Sequence, residues 1–478
     1  MAANGGAGRW RDDGAWPEGT LSEADRERFR RYAAMLAFFR GEQWETAQRR
    51  GEARLTLNYA RVLARKTAAY VFPAPVAFGV PVPEAGGAEE ATANRAERLL
   101  AATLADLDLA RLDGDLCVEA AVLGDAAVKV TWDPGTGSPT VAPVDPATLT
   151  ARVAADDPRR ATGMTQAYAL PVAALPEIGV ATGVAARLAP GPGGGQVTVV
   201  ETWTAERWRM TVAGQTVRDE ANPYGWLPYV VLPNNPRAGA FWGESDLLDL
   251  LDVCRELNAR MSGLSRVLEV SGSPIAVLEN VDGSEGITVG PGAKWELPEG
   301  ARAYLLDLLS GGGAGLHAQY VDLLYRALHD LSETPRTAFG DGGRDLSGAA
   351  LEVEVQPLVQ KVGRKRRQWE GFYRARNARL LDLLERFGGA PLAGLRRTEA
   401  IWPPILPSDA GEAVRNATQL VASGIRSRRS AAAELGEEDP EREWARVLEE
   451  RGRVVEESSG RGAGESWRRG VGEQSADA

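Results

Sequence analysis

The chain has 478 residues, 44% of them hydrophobic and 25% charged, with a net charge of -11. That length holds two or more domains with substantial cores, and the composition is that of a globular chain. An acidic chain lacks the basic footprint of a tight nucleic-acid binder, which excludes sequence-reading DNA recognition but not a surface along which DNA slides.

No early stretch has the layout of a signal peptide, and no run of about eighteen apolar residues would span a membrane. The expected setting is a reducing cytoplasm or a particle assembled there. Cys117 and Cys254 form no CxxC pair and are expected as reduced, buried thiols.

Residues 1–20 are Gly-rich, and Ser22 with Asp25 forms a capping box that opens a helix through Phe39. Leu57-Asn58-Tyr59 leads into a second helix with Val62, Leu63 and Tyr70 as apolar contacts, stopped by Pro73. Pro81 to Ala88 is a linker or surface loop. A helix to about Leu109 and another from Asp113 to Leu123 follow. From Ala126 the apolar period becomes two, predicting a strand from Ala127 to Trp132, a turn at Asp133–Gly137 and a return strand from Pro139 to Val144. Residues 150–195 are weakly patterned, and three segments between Gln196 and Arg218 predict a β-meander. This first half, residues 21–240, is expected to be α+β with antiparallel strands.

Glu244 to Val270 carries a helical apolar stripe that includes Leu247, Leu250, Cys254, Leu257 and Met261. Its polar side is acidic at Glu244, Asp246, Asp249, Asp252 and Glu256. Strands are expected at Ile275–Leu278 and Lys294–Leu297, then a helix from Leu316 to Leu331. A Gly-rich loop, Arg336 to Asp345, precedes a long helix to about Phe387 in which Pro357 is expected to produce a kink. That helix is basic at Lys361, Arg364, Lys365, Arg366 and Arg367. Ser408 caps a further helix, two short helices lie between Ser427 and Glu450, and residues 452–478 have a disordered composition.

No catalytic constellation emerges, so the chain is expected not to be an enzyme and to need no cofactor. Gly311-Gly312-Gly313-Ala314-Gly315 is followed by Leu316 and His317 where a phosphate loop needs Gly-Lys-Ser/Thr. Val281 to Gly286 lacks the alternating ligands and distal Glu of a calcium loop. His317 and His329 stand twelve residues apart on one helix, too far to share a metal. The basic run has two interpretations: a solvated or intersubunit ion-pair face, or contact with DNA phosphates.

The order of these elements resembles the portal proteins of tailed phages, siphophages in particular, from about Tyr32 to Glu450. The resemblance rests on Phe38-Phe39-Arg40-Gly41-Glu42-Gln43-Trp44, Leu57-Asn58-Tyr59, Gly124-Asp125-Ala126, Asp145-Pro146, Pro233-Asn234-Asn235 and Gly243-Glu244-Ser245-Asp246. Leu346-Ser347-Gly348-Ala349-Ala350-Leu351, entering the basic helix, and Gly424-Ile425-Arg426-Ser427 complete it.

The resemblance implies a portal-type α+β fold. Its parts would be a wing (21–240), a stem helix (241–273), a β-rich clip (274–310), a second stem helix (311–334), a tunnel loop (335–346), a long kinked wing helix with the region after it (347–424) and a helical crown (425–451). It implies a ring homo-oligomer, a dodecamer, at one capsid vertex of the virion, through which double-stranded DNA is packaged, retained and ejected. Expected partners are the terminase large subunit, which hydrolyses ATP, a head–tail adaptor, and the major capsid and scaffolding proteins. A prophage or a gene transfer agent would use the same ring. The resemblance puts Arg336, Thr337, Phe339, Gly340, Asp341, Gly342, Gly343, Arg344 and Asp345 against DNA, the five acids on the channel wall, and the basic run between ring neighbours. The alternatives are another virion ring or scaffold component, such as a head–tail connector, or a DNA-processing hydrolase.

Overall fold

Ser22 starts the first helix as its spacing from Asp25 predicts: its Oγ accepts the Asp25 N–H at 3.1 Å. The helix, α1 (Glu23–Arg40), ends where Gly41 adopts φ +106, a conformation open to glycine. The computed structural model describes residues 16, 21–50, 52–81, 88–188, 195–272, 275–280, 297, 299–306, 313–340, 348–406, 410–435, 443–444 and 446–449. The chain divides into two units, Met1–Ile405 and Leu406–Ala478.

In the first unit Asn58 caps α2 (Tyr59–Val71), in which Leu63 is buried while Val62 is exposed and Tyr70 half-buried. After β1 (Ala77–Gly79) come α3 (Ala88–Asp106) and α4 (Leu109–Leu123). The helix expected from Asp113 begins four residues earlier, because buried Leu109 anchors its first turn. Strands β2 (Asp125–Asp133) and β3 (Ser138–Val144) form the expected hairpin. A third strand, β9 (Tyr229–Pro233), pairs antiparallel with the other edge of β2, giving the order β3-β2-β9.

The weakly patterned segment is more ordered than its sequence suggests. It holds β4 (Leu149–Val153), β5 (Ala161–Pro171) and α5 (Thr182–Leu188). Ala161, Gly163, Ala167 and Ala169 weaken the strand signal of β5 itself. The expected meander, β6 (Gln196–Thr204), β7 (Arg207–Val212) and β8 (Gln215–Ala221), supplies its partners in an antiparallel sheet ordered β4-β5-β6-β7-β8. Lys129 on β2 bridges the two sheets through a 2.5 Å ion pair with buried Glu201 on β6, whose other oxygen accepts the Tyr168 hydroxyl at 2.6 Å.

The long helix expected from Glu244 begins later, at α6 (Leu251–Gly272), after a 3₁₀ turn at Leu248–Leu250. Residues 243–247 are instead tied to α4: the Asp246 N–H donates to Ala121 O at 2.8 Å and Ser245 Oγ to Val122 O at 2.6 Å. Strands β10 (Ile275–Glu279) and β11 (Arg302–Leu306) pair antiparallel, and α7 (Gly313–Leu331) returns to pack on α6. Of the strand expected at Lys294–Leu297, residues 294–296 lie outside the described residues, and the partner of β10 is further along the chain.

Helix α8 (Gly348–Arg386) has 39 residues, about 58 Å at ~1.5 Å per residue, and continues past Pro357, which has no N–H to give to the turn before it. Leu358, Val362, Trp369, Phe372, Tyr373 and Leu380 are buried along it. At about 1.5–3 kcal/mol for each buried side chain, this stripe outweighs the exposed ion pairs of the same helix, worth about 0–1 kcal/mol each. It forms the main core with α3, α4, β2 and β9. A second cluster joins α1, α2, the end of α4, the start of α6 and Leu328 of α7. A third, smaller cluster of Leu175, Val197, Val199, Met210 and Val212 belongs to the five-stranded sheet. The unit closes with β12 (Glu399–Ile401), paired antiparallel to β1.

The second unit contains α9 (Ala410–Ala422) and α10 (Arg428–Glu434). Ala417 and Ala431 are buried within it, and the Arg428 guanidinium lies 5.6 Å from the Trp444 ring. Residues 1–15, the Pro81–Ala88 stretch from 82 to 87, and the tail from 450 lie outside the described residues.

Two glycines set the geometry where α4, β2, β9 and the approach to α6 converge. A Cβ on Gly243 would fall 2.5 Å from Gly124 O and 2.7 Å from Asn234 N, and one on Gly124 (φ +105) 2.9 Å from Glu244 C. Gly243→Ala is therefore expected to cost about 1–3 kcal/mol or more in urea unfolding, because backbone must move. Gly114→Ala, in α4 with nothing within 4 Å of the new Cβ, is expected to stabilise by about 0.5–1 kcal/mol. Equal effects from the two substitutions would show that the crossing is not tight.

Candidate functional site

The long basic helix and the entry to α6 meet around one ammonium group. Lys365, 5% exposed, places Nζ 2.6 Å from Asn234 Oδ1 and 2.8 Å from Asp246 Oδ2. Asn234 Nδ2 donates to Asp246 Oδ1 at 2.8 Å and to Glu244 O at 3.0 Å, and Asn235 Nδ2 reaches the same Asp246 oxygen at 2.9 Å. Burial alone would raise the Asp246 pKa, but Lys365, then Lys361, hold the carboxyl well below the usual carboxylate range.

Lys361 and Arg366 are also committed inside the chain. Lys361 Nζ donates to Ser332 O at 2.8 Å and Thr67 Oγ1 at 3.2 Å, and burial lowers its pKa. Arg366 is 8% exposed; it donates to Val71 O at 3.1 Å and to Pro403 O at 2.7 Å, with its guanidinium 4.8 Å from the Trp402 ring. Arg364 pairs with Glu333 at the surface, and Arg367 is exposed. Neither interpretation of the run as one exposed face describes Lys365 and Arg366, which knit α8 to the end of α2, the loop after β9 and the segment after β12. Their position on the apolar side of a helix was not legible from charge alone.

The five acidic positions separate. Glu244 and Asp246 precede α6, with Glu244 paired to Arg237 at 3.2 Å and Asp246 in the interior network. Asp249 is exposed on the 3₁₀ turn, and Asp252 is exposed on the first turn of α6, 3.4 Å from Arg255. Glu256 accepts from Arg260 at 2.6 Å and from the Tyr320 hydroxyl of α7 at 3.3 Å. Asp249, Asp252 and Glu256 thus lie along the solvent side of the α6 entry.

The Gly-rich loop begins in order. Arg336, Thr337 and Phe339 form a 3₁₀ turn closed by Gly340 at φ +85. Phe339 is half-buried, 5.4 Å from the His329 ring and 5.5 Å from Lys66 Nζ. Arg336 lies over Tyr325 at 4.9 Å and 3.6 Å from Asp322. Asp341, Gly342, Gly343, Arg344 and Asp345 lie outside the described residues.

A cleft of about 530 Å³ opens beside the network, bordered by Asn235, Glu244, Asp249, Glu333, Arg364 and Arg367. Its lining charges balance, Glu244, Asp246, Asp249 and Glu333 against Lys361, Arg364, Lys365 and Arg367, and the arrangement holds backbone segments together rather than activating a nucleophile. A second network sits nearby: Tyr32 donates to Asp125 Oδ2 at 2.5 Å, and the Gly243 N–H donates to Asp125 Oδ1 at 2.8 Å. Burial pushes Asp125 up to about 6. Burial also pushes the Cys117 thiol up to about 12 and Cys254 to about 11, which leaves both protonated and unreactive at neutral pH. Among the described residues no group of three or more His, Cys, Asp or Glu is placed to hold a metal ion. No helix among them is long and apolar enough to cross a membrane.

Sequence reasoning missed the structural roles of Asn234, Asp125 and Tyr32. The Pro233-Asn234-Asn235 and Gly124-Asp125-Ala126 strings were visible, but only the fold brings Asn234 to Lys365 and Asp125 to Tyr32.

The Asp246 carboxyl titrates below its unfolded range, so its partnership stabilises the fold above pH ~4 and is lost as pH falls through the folded value. Asp246→Asn is expected to cost about 3–5 kcal/mol at pH 7 by urea denaturation, as is Lys365→Met, since either leaves a buried group unpaired. The gap to the native chain should narrow on titration into acid. Strictly additive losses in the Asp246→Asn/Lys365→Met double variant would show that the two groups are not coupled.

Residues 314–457 match the family model described as phage portal protein, SPP1 Gp6-like. The matched span covers nearly all of α7, the 3₁₀ turn, α8, α9 and α10. That match supports, over this part of the chain, the resemblance to phage portal proteins read from the sequence. A comparison with curated proteins found no match.

Proposed function

We propose that this chain, which matches the phage portal family model over residues 314–457, is the repeating subunit of a dodecameric ring at one capsid vertex. The ring is a channel through which double-stranded DNA enters, is retained and leaves. The family match is the observation that carries this reading, because it covers the segments interpreted as second stem helix, tunnel loop, wing helix and crown.

In this reading α6 and α7 are the stem, and the segment between them, with the β10–β11 pair, is the clip on which the terminase large subunit and later the head–tail adaptor dock. Major capsid and scaffolding proteins contact the outer parts of the ring. The subunit itself hydrolyses nothing, and the motor supplies the work of packaging.

Exposed carboxylates at Asp249 and Asp252 give the α6 entry a surface that repels the DNA backbone, which suits a conduit better than a binder. The DNA-facing element is the loop from 336 to 345. Its first half is anchored through Phe339.

Negative-stain microscopy of the purified protein is expected to show rings with a central hole wide enough for a DNA duplex; monomers with turnover on DNA would reject the reading. Deleting Asp341–Gly343 is expected to leave rings intact and to reduce packaged DNA at least tenfold, read as nuclease-protected DNA in assembled heads. Loss of rings on that deletion would make the loop an assembly element.

A further inference from the structure

A second cavity, of about 760 Å³, is a groove between the second half of α1, α4 and the end of β3. Leu36, Phe39, Leu112, Val118 and Val141 give it an apolar lining. Its charges do not balance: Asp108, Asp115, Glu119 and Asp145 stand against Arg40 and Arg111. Arg111 is already held by Asp108 at 2.6 Å and lies 3.4 Å from Asp115. The Asp145 carboxyl accepts one backbone donor, the Ala147 N–H at 2.9 Å, and Glu119 has neither a hydrogen bond nor an ion pair among the described residues. Burial, then the Asp145 charge, pushes Glu119 up to about 8, and burial pushes Asp145 up to about 6. Two half-buried carboxyls thus share an apolar groove with no cation paired to either.

The chain itself leads a cationic segment to this place. Trp16 stacks on Phe29 of α1, ring centroids 6.1 Å apart, and its Nε1 donates at 3.4 Å to Ala147 O, two residues beyond Asp145. Leu36 and Arg40 follow Phe29 by seven and eleven positions, which at about 3.6 residues per turn puts all three on one face of α1. Trp16 therefore covers the start of the face whose continuation lines the groove. Upstream of Trp16, outside the described residues, the sequence reads Arg9-Trp10-Arg11-Asp12-Asp13. From Trp16 back to Arg9 an extended chain reaches up to ~23 Å, against about 10 Å along α1 from Phe29 to Leu36.

We propose that this groove is the docking site of the chain's own N-terminal segment, with Trp10 packed against Leu36 and Phe39 and with Arg9 and Arg11 paired to Glu119 and Asp145. An extended stretch puts Arg9 and Arg11 on one side and Trp10 on the other, as the two kinds of lining require. Arginine suits these carboxyls because its planar fork satisfies two oxygens at once and stays charged in an apolar setting. Asp12 and Asp13 fall nearer Trp16, outside the acidic part of the groove. Docked in this way the segment covers the apolar lining, supplies two positive charges and ties α1 to β3 across α4. The contact lies within one subunit and does not depend on how the chain assembles.

The test is photo-crosslinking in the full-length protein with p-benzoylphenylalanine in place of Trp10. Adducts are sized on a denaturing gel and located by mass spectrometry of tryptic peptides. The expected adducts join residue 10 to α1 between Met35 and Phe39, or to α4 between Leu112 and Glu119, of the same chain. Arg9→Glu/Arg11→Glu is expected to cut their yield about fivefold or more, and so is Glu119→Lys. Adducts spread over other surfaces would overturn the proposal. So would an unchanged yield in Arg9→Glu/Arg11→Glu, which alters no described residue and decides the matter even if Glu119→Lys fails to fold. Adducts that join two chains would assign the groove to the N-terminal segment of a neighbouring copy and equally overturn it.

Discussion

The ammonium of Lys365 is the point on which the first unit depends. It lies on the buried side of a 39-residue helix and is held by Asp246 and Asn234, which belong to different stretches of chain. An unpaired ammonium in that position would carry a desolvation penalty of several kcal/mol, so the helix is stable there only if both partners arrive. Gly124 and Gly243 are what allow them to arrive, because any side chain at either position would collide with backbone. Asp125 then secures the same crossing from the other side through Gly243 and Tyr32. Long helix, sheet and α6 entry are thus joined by a compact set of polar contacts set between two apolar cores.

This arrangement changes the meaning of the chain's charge. A basic helix in an acidic protein looks like a phosphate-binding surface, but Lys361, Lys365 and Arg366 spend their donors on carbonyls, a hydroxyl, an amide oxygen and a carboxylate inside the fold. What remains exposed near the α6 entry is mixed, Asp249 and Asp252 with Arg364 and Arg367. Exposed charges act over roughly 8–10 Å at physiological salt, so this mixed surface, and not the buried Lys365 and Arg366, is what a nearby polyanion would sense. For the proposed conduit this matters because tight binding and free sliding are opposed.

Much of the fold was legible from local signals. The Ser22–Asp25 cap, the Asn58 cap, the Asp133–Gly137 hairpin and the meander from Gln196 all follow from residue chemistry within a few positions. Legibility failed where a distant partner decided the outcome. Residues 244–247 carry helical periodicity, yet carbonyls at the end of α4 capture Ser245 and Asp246 and delay the helix to Leu251. Strand β5 is rich in small residues and is a strand because β4 and β6 flank it. The basic run was read as one surface because spacing shows which residues share a face but not which face is covered. Phe339 looked like part of a free loop, and only the ring of His329 shows that the loop starts anchored.

The two antiparallel-returning helices α6 and α7 carry the same logic one level higher. Near the sheets their contacts are interior: Leu247, Leu250, Cys254 and Leu257 share a core with Leu328. Further along, Leu268 of α6 and Leu316 and Leu323 of α7 are exposed at 54%, 69% and 61%. A helix pair that continues its apolar positions past the end of its own core leaves surface that one copy of the chain does not cover. Two helices have only two faces to offer each other, so the excess faces sideways. A head-to-tail ring covers such surface on every subunit with one repeated contact and leaves none at the ends, because the rotation closes. The burial gradient along α6 and α7 is therefore what the proposed ring requires of its stem: a base fixed within the subunit and a distal part completed by its neighbours.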